Sequence, residues 1–290
     1  MIMPIKFYEK EIQKKPEFQS QKKGFFKLKY EKDIKIYCVA RTISADRKIR
    51  MDRRFKNRGL SESVVYVDAV EYTDPIVKKY RPIETLTEME SKYAACFLSH
   101  LKTLGIFLDT DAQSCLVCEN DILLHNDFSH RLKNIVEACP ESAPIISLGY
   151  FNGRDGNYSK ISPPESKEDI RNIGIDLIWG MQMYWISRKY AEACVYLFDR
   201  NNFGYDKSGI YPGLVARIES NKKDNFITPE IILRKSVTGC LVIPPLAIED
   251  CIMSDIGGKK RANSHIIDMA KYNYRITLTE NPWKALCRIK

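Results

Sequence analysis

The apolar tetrapeptide Cys115-Leu-Val-Cys118 runs directly into Glu119-Asn120-Asp121, and apolar residues resume at Ile122-Leu-Leu124. A run so short and so apolar has the length of a buried parallel strand rather than of a helix. Two carboxylates one residue apart at its carboxyl end are costly to bury unless something cationic neutralises them. In an open α/β sheet that end is also where ligands bind. A hard divalent ion shared with a diphosphate meets both demands, because Mg2+ and Mn2+ prefer oxygen ligands and keep substrate phosphates in their shell. A ligand-free acidic turn has the same spacing, so the surrounding chain has to decide.

Upstream, Ile34–Ala40 reads as a strand, and Ser44 or Asp46 can cap a helix that passes through Met51, Arg54 and Phe55 and stops at Gly59. Ser63–Val67 is a second strand. Strand, helix and strand in that order open a nucleotide-binding α/β unit. Arg41 and Arg47 stand just beyond the first strand, where they can meet a nucleotide; solvated helix charges look the same. Thr87 with Glu90 three residues later marks a helix start, and the apolar face Ala94, Phe97, Leu98, Leu101, Leu104 carries the helix to Leu108. His100 lies near that face and reads as a packed, hydrogen-bonded residue.

Downstream, a helix over 129–138 is followed by a buried strand over 144–148, a long polar loop over 149–169, a strand over 177–187 and a helix over 188–198. Loops of that length tend to be lids or binding loops. Residues 201–225 read as irregular, Ile227-Thr-Pro-Glu230 as a short helix start, and Cys240–Pro244 as a final strand. Residues 1–33 form a lysine-rich extension with enough aromatics to pack on the body. The main domain is expected over 34–256, with a basic tail over 257–290 that includes Lys259-Lys260-Arg261.

A chain of 290 residues can bury an ample core, and its formal charge of +9 favours anionic partners without choosing among them. No basic–aromatic interleaving or RNA-module motif supports nucleic acid as that partner. The nine cysteines have no framework spacing, so a reducing compartment, the cytoplasm, is the expected home. Cys115 and Cys118 have C-x-x-C spacing but no second pair, and read as strand filler rather than a zinc or redox site. No apolar run reaches the length of a membrane span, and no signal-peptide core is seen at the start.

The order of these pieces resembles glycosyltransferase family 25, the group of lipooligosaccharide and procollagen galactosyltransferases. Arg41 with Asp46-Arg47 resembles the family's opening strand and Asp-Arg pair, and Val67-Asp-Ala-Val-Glu71 its Ala-Val-Asp segment. Cys96-Phe-Leu-Ser99-His100 matches its Cys-x-x-Ser-His, and Leu116–Ile122 is similar to its acidic Leu-Ile-Leu-Glu-Asp-Asp-Val. Gly180-Met-Gln-Met-Tyr184-Trp-Ile-Ser187 resembles its Gly-x-x-x-Tyr-x-Ile-Ser. One departure stands out: Asn120 occupies a position where the family has Asp.

The resemblance implies an α/β fold of GT-A type, a nucleotide-sugar-binding sandwich with a mainly parallel central sheet. It implies transfer of galactose or glucose from a UDP-sugar to a glycan or hydroxylysine-type acceptor. Mn2+ or Mg2+ would sit on Asp121, oriented through Glu119, and Arg41, Thr42, Asp46, Arg47, Glu119 and Asn120 would attend the donor. Asp176, Asp224 and Glu230 are the candidates for the carboxylate that takes the acceptor's proton, with Glu230 nearest to where the family has an acid after a Pro. A catalytically silent carbohydrate- or partner-binding module on the same fold is the competing expectation, prompted by Asn120.

Overall fold

In the computed structural model the described residues are 34–41, 45–80, 87–125, 127–138, 143–152, 169–172, 178–199, 240–243 and 245–250. The expectations placed on 1–33, Thr42, Ser44, Asp176, 201–225, Asp224, Ile227–Glu230 and the tail from 257 lie outside them.

Strand β1 (Ile36–Ala40), helix α1 (Ala45–Lys56) and strand β2 (Val64–Asp68) form the expected opening unit. The two strands pair in parallel from Ile36 with Val64 to Ala40 with Asp68. Helix α1 ends where glycine allows it: Gly59 takes a φ of 66°, and Leu60 N–H donates to Phe55 O at 2.9 Å. A short helix α2 (Pro75–Tyr80), which the sequence pattern did not signal, precedes helix α3 (Glu88–Leu108). The start of α3 is a reciprocal cap: Thr87 accepts from Glu90 N–H, and the Glu90 side chain reaches back to Thr87 N–H at 2.9 Å.

Then come β3 (Ser114–Glu119), β4 (Ile122–Leu124), α4 (Phe128–Ala138), β5 (Ile145–Asn152), β6 (Asp169–Asn172), β7 (Ile178–Ser187), α5 (Arg188–Asp199), β8 (Cys240–Ile243) and β9 (Ala247–Glu249). The main sheet runs β2-β1-β3-β7-β5-β8-β6, with β4 and β9 paired to each other beside it. Five of those seven strands point the same way, while β7 and β6 are reversed. The parallel neighbour expected for the 115–118 run is β1; its other neighbour, β7, is antiparallel.

Side-chain alternation divides the core between the two faces of this sheet. Cys115 and Val117 pack with α3 and α5 through Phe97, Leu104, Tyr190 and Cys194. Leu116 and Cys118 pack on the other face with Met51 and Phe55 of α1 and with Phe128 and Leu132 of α4. The C-x-x-C pair is therefore split across the sheet, and burial pushes both thiols well above their ordinary range. Strand filler is the correct reading, because an odd offset on a strand sends the two side chains opposite ways.

Three sequence expectations need correction. Residues 149–152 continue β5 rather than opening a loop, because Gly149–Asn152 remains paired with β7 and β9. At the far side of that loop, Asp169 begins β6, which pairs antiparallel with β8. Cys240–Ile243 is not the last strand, since β9 follows it. Gly149 makes this possible: a Cβ there would meet Ala247 O at 2.9 Å and Met183 N at 3.1 Å. Both are backbone atoms, so only glycine lets β9 come this close to β5.

Candidate functional site

The β3–β4 turn carries Asn120 and Asp121, both nearly buried. Strand β9 pairs antiparallel with β4, placing Glu249 beside Ile122, and Asp250 N–H donates to Asp121 O across the same junction. Four carboxylates thus converge, with Glu119, Glu249 and Asp250 all acting electrostatically on Asp121. Burial first, then Glu119 and Glu249, push the Asp121 carboxyl well above its ordinary value, and Arg47 opposes them.

Helix α1 supplies the opposing charge from positions 47, 50 and 54, one stripe of its surface. Arg47 Nη1 donates to Asn120 Oδ1 at 3.3 Å and to Asp121 Oδ2 at 3.4 Å. Arg54 donates to Asp250 Oδ2 at 2.9 Å and to Ile122 O at 2.8 Å, and Arg50 Nε stands 4.0 Å from Asp250 Oδ2. Even so, Asp121 Oδ1 and Asn120 Nδ2 are buried without a hydrogen-bond partner. Buried polar atoms are nearly always satisfied, so an orphaned carboxylate oxygen beside an orphaned amide marks a place for a ligand. Both atoms suit an anionic group and its cation: the oxygen takes the cation, the amide donates to an oxygen of the substrate.

On the opposite face of the sheet, Glu119 turns toward α3, where Cys96 Sγ lies 3.9 Å from Glu119 Oε1. His100 is fully buried, as expected of a packed residue, and its Nδ1 lies 3.0 Å from Tyr184 Oη. Burial lowers its imidazole to about 4, so the ring is neutral at physiological pH. Ser99 Oγ donates to Ala95 O at 2.7 Å and accepts from Val70 N–H at 2.8 Å, fastening the segment after β2 to α3.

The residues named from the sequence fall into distinct positions. Asp121, Asn120 and Arg47 come together at the turn, with Glu119 within electrostatic reach on the α3 side. Arg41 is engaged elsewhere: it makes a two-pronged pair with Glu71, its Nη2 at 2.7 Å from Oε2. Asp46 is exposed in the first turn of α1. Sequence reasoning missed Glu249 and Asp250, although Ala247-Ile-Glu-Asp250 repeats the pattern seen at 115–121, a short apolar run ending in acids. It also missed the site-facing roles of Arg50 and Arg54.

The motif fragments, scattered over 144 positions from Arg41 to Tyr184, are joined by these contacts into one framework: Arg41 to Glu71, Val70 to Ser99, Cys96 to Glu119 and His100 to Tyr184. The family model for glycosyltransferase family 25 (LPS biosynthesis protein) matches residues 33–208, more than half of the chain. The chain belongs to glycosyltransferase family 25. It is accordingly a glycosyltransferase, built on a mixed α/β sheet with the acidic turn at the end of a central strand.

No curated protein matches this family 25 chain in sequence. Among solved structures it is similar to a glycosyltransferase involved in glycosylation of the major capsid of PBCV-1, at 10% identity and a TM-score of 0.34, over 80% of this chain and 98% of that one. It is also similar to the galactosyltransferase LgtC in complex with donor and acceptor sugar analogs, at 11% identity and a TM-score of 0.39, over 87% of this chain and 99% of that one. At these scores neither neighbour bears on the substrate. Among the described residues, no helix is long and apolar enough to cross a membrane.

Proposed function

We propose that this family 25 enzyme transfers galactose or glucose from a UDP-sugar to a hydroxyl of a glycan or hydroxylysine-type acceptor, with Mn2+ or Mg2+ held at Asp121. The observation that carries the proposal is Asp121 itself: a buried carboxylate with a raised proton affinity, one oxygen on Arg47 and the other without a partner. Asp121 feels the negative charge of Glu119, Glu249 and Asp250 against the positive charge of Arg47, so the site favours an added cation, and oxygen donors suit a hard one. When bound, such an ion neutralises charge that develops on a departing diphosphate.

The chain's own groups do the rest. Arg47 holds the Asn120 oxygen, which turns the amide NH2 away as a donor for a sugar hydroxyl or a phosphate oxygen. Arg54 and Asp250 tie α1 to β9, fixing the turn between them. Arg41, with Glu71, supports the edge of the donor site, and Thr42 and Asp46 keep their places as donor-side candidates. The proton acceptor is proposed among Asp176, Asp224 and Glu230. The absence of framework spacing among the nine cysteines of the sequence favours a reducing compartment such as the cytoplasm.

Asn120 favours one competing reading, a silent binding module, since the family's acid is replaced there by a neutral amide. UDP release from UDP-galactose and UDP-glucose with Mn2+, with and without EDTA, separates the two. Transfer predicts release that EDTA abolishes and that Asp121→Ala lowers by roughly 100-fold or more. A rise in melting temperature with UDP and Mn2+ but no release, even with added acceptors, supports the silent module. Neither signal in the wild-type protein overturns the donor site at Asp121.

A further inference from the structure

Cys96 and His100 are four residues apart on α3, so the helix presents them on one face. Glu119 reaches them from the end of β3. One ligand atom from each side chain, the Cys96 sulfur, a His100 ring nitrogen and a Glu119 carboxylate oxygen, all lie within 4.8 Å of one another. Among the described residues no other three Cys, His, Asp or Glu side chains gather as closely.

The histidine supplies a second, independent sign. Its ring is fully buried, Nδ1 is engaged by the Tyr184 hydroxyl, and Nε2 has no hydrogen-bond partner. A buried ring nitrogen left without a partner is costly unless something occupies it. A histidine with one nitrogen fixed by an outer partner and the other bare has the arrangement seen in metal-bound imidazoles.

We propose that Cys96, His100 and Glu119 form a binding site for a borderline-soft divalent ion, Zn2+, distinct from the hard-ion site at Asp121. Thiolate and imidazole select zinc over Mg2+ and Mn2+, whereas Asp121 and its acidic neighbours offer oxygen alone. Donor atoms around a tetrahedral zinc stand roughly 3.3–3.8 Å apart, so the three side chains draw in by about 1.5 Å at most. Three protein ligands leave the fourth position for water, and the Cys96 proton passes to solvent as the thiolate binds. The ion would clamp α3 to the end of β3 and hold Glu119 on the α3 face, while Asp121 serves the α1 face.

The test uses the full chain, stripped with EDTA and titrated with Co2+ as the probe. One equivalent should give a thiolate-to-cobalt absorption band that Zn2+ displaces and excess Mg2+ does not. Cys96→Ser should remove the band, and Glu119→Gln, which keeps the side-chain volume, should weaken Co2+ at least tenfold. Asp121→Asn should leave the band within about twofold of its wild-type affinity. No band in the wild-type protein, or a band that survives Cys96→Ser, overturns the site. Loss of the band in Asp121→Asn overturns its separateness. None of these readouts depends on donor turnover, so failure here is distinguishable from failure of the transferase reading.

Discussion

Burial and the neighbouring Glu119 and Glu249 raise the Asp121 carboxyl, so the folded protein holds that proton more tightly than the unfolded chain does. The associated stability is fully present below the unfolded carboxyl value of about 3.9 and is lost as pH rises through the raised folded value. Near pH 7 and without an ion, burying the Asp121 carboxyl therefore destabilises the fold. Asp121→Asn removes the charge at nearly constant volume, and in EDTA at pH 7 it should raise Tm by about 2–4 °C, on the order of 1 kcal/mol. The difference from wild type should shrink as pH falls toward the unfolded carboxyl value, where both states of Asp121 hold the proton. His100 acts with the opposite sign: lowered to about 4, its contribution is present above its unfolded value and lost as pH falls. Comparing the two proteins at each pH cancels the histidine. A lower Tm for the variant at pH 7 would mean that the Arg47 pair outweighs the burial of the charge.

At the level of elements, the site depends on β9 reaching β4, and β9 depends on Gly149. A methyl group there meets the backbone of Ala247 and Met183, which cannot rotate away. Gly149→Ala should cost about 1–3 kcal/mol and, by displacing Glu249 and Asp250, also weaken divalent-ion binding. Alanine at the exposed position Lys133 of α4 should change neither. A Tm and a Mn2+ affinity indistinguishable from wild type in the glycine variant would show that β9 is placed by other contacts. This example also explains what was legible in the sequence. Helices α1 and α3 could be read because caps, Gly59 and a 3.6-residue apolar pattern are local signals. Asp121 and Arg47 could be read because they stand at the ends of elements those signals define. β9 has only three residues, too few for a period, and its acids reach Asp121 through a pairing across more than 120 positions. Glu119 shows the same limit. Its spacing from Asp121 suggested one shared ion, but the turn after β3 sends the two side chains toward different helices.

For the molecule as a whole, the proposed UDP-sugar donor raises the question of whether arginine or a metal ion would carry its diphosphate. The chain is basic, at +9, and α1 sets Arg47, Arg50 and Arg54 facing the acidic turn, so positive charge is available without any ion. Arg47 and Arg54 are already hydrogen-bonded to Asp121 and Asp250, however, and a diphosphate that displaced them would leave buried carboxylates uncompensated. A divalent ion avoids that conflict by binding the carboxylates and the phosphates together. Thermal unfolding of the full chain can decide it by linkage. At a ligand concentration of about 100 Kd the native state gains about 2.7 kcal/mol, which corresponds to roughly 5–10 °C for a domain of this size. UDP with Mn2+ should produce a shift of that order, UDP in EDTA much less, and UDP with Mn2+ on Asp121→Ala little. If UDP raises Tm equally with and without the ion, the arginine stripe holds the diphosphate directly and Asp121 is not its metal ligand.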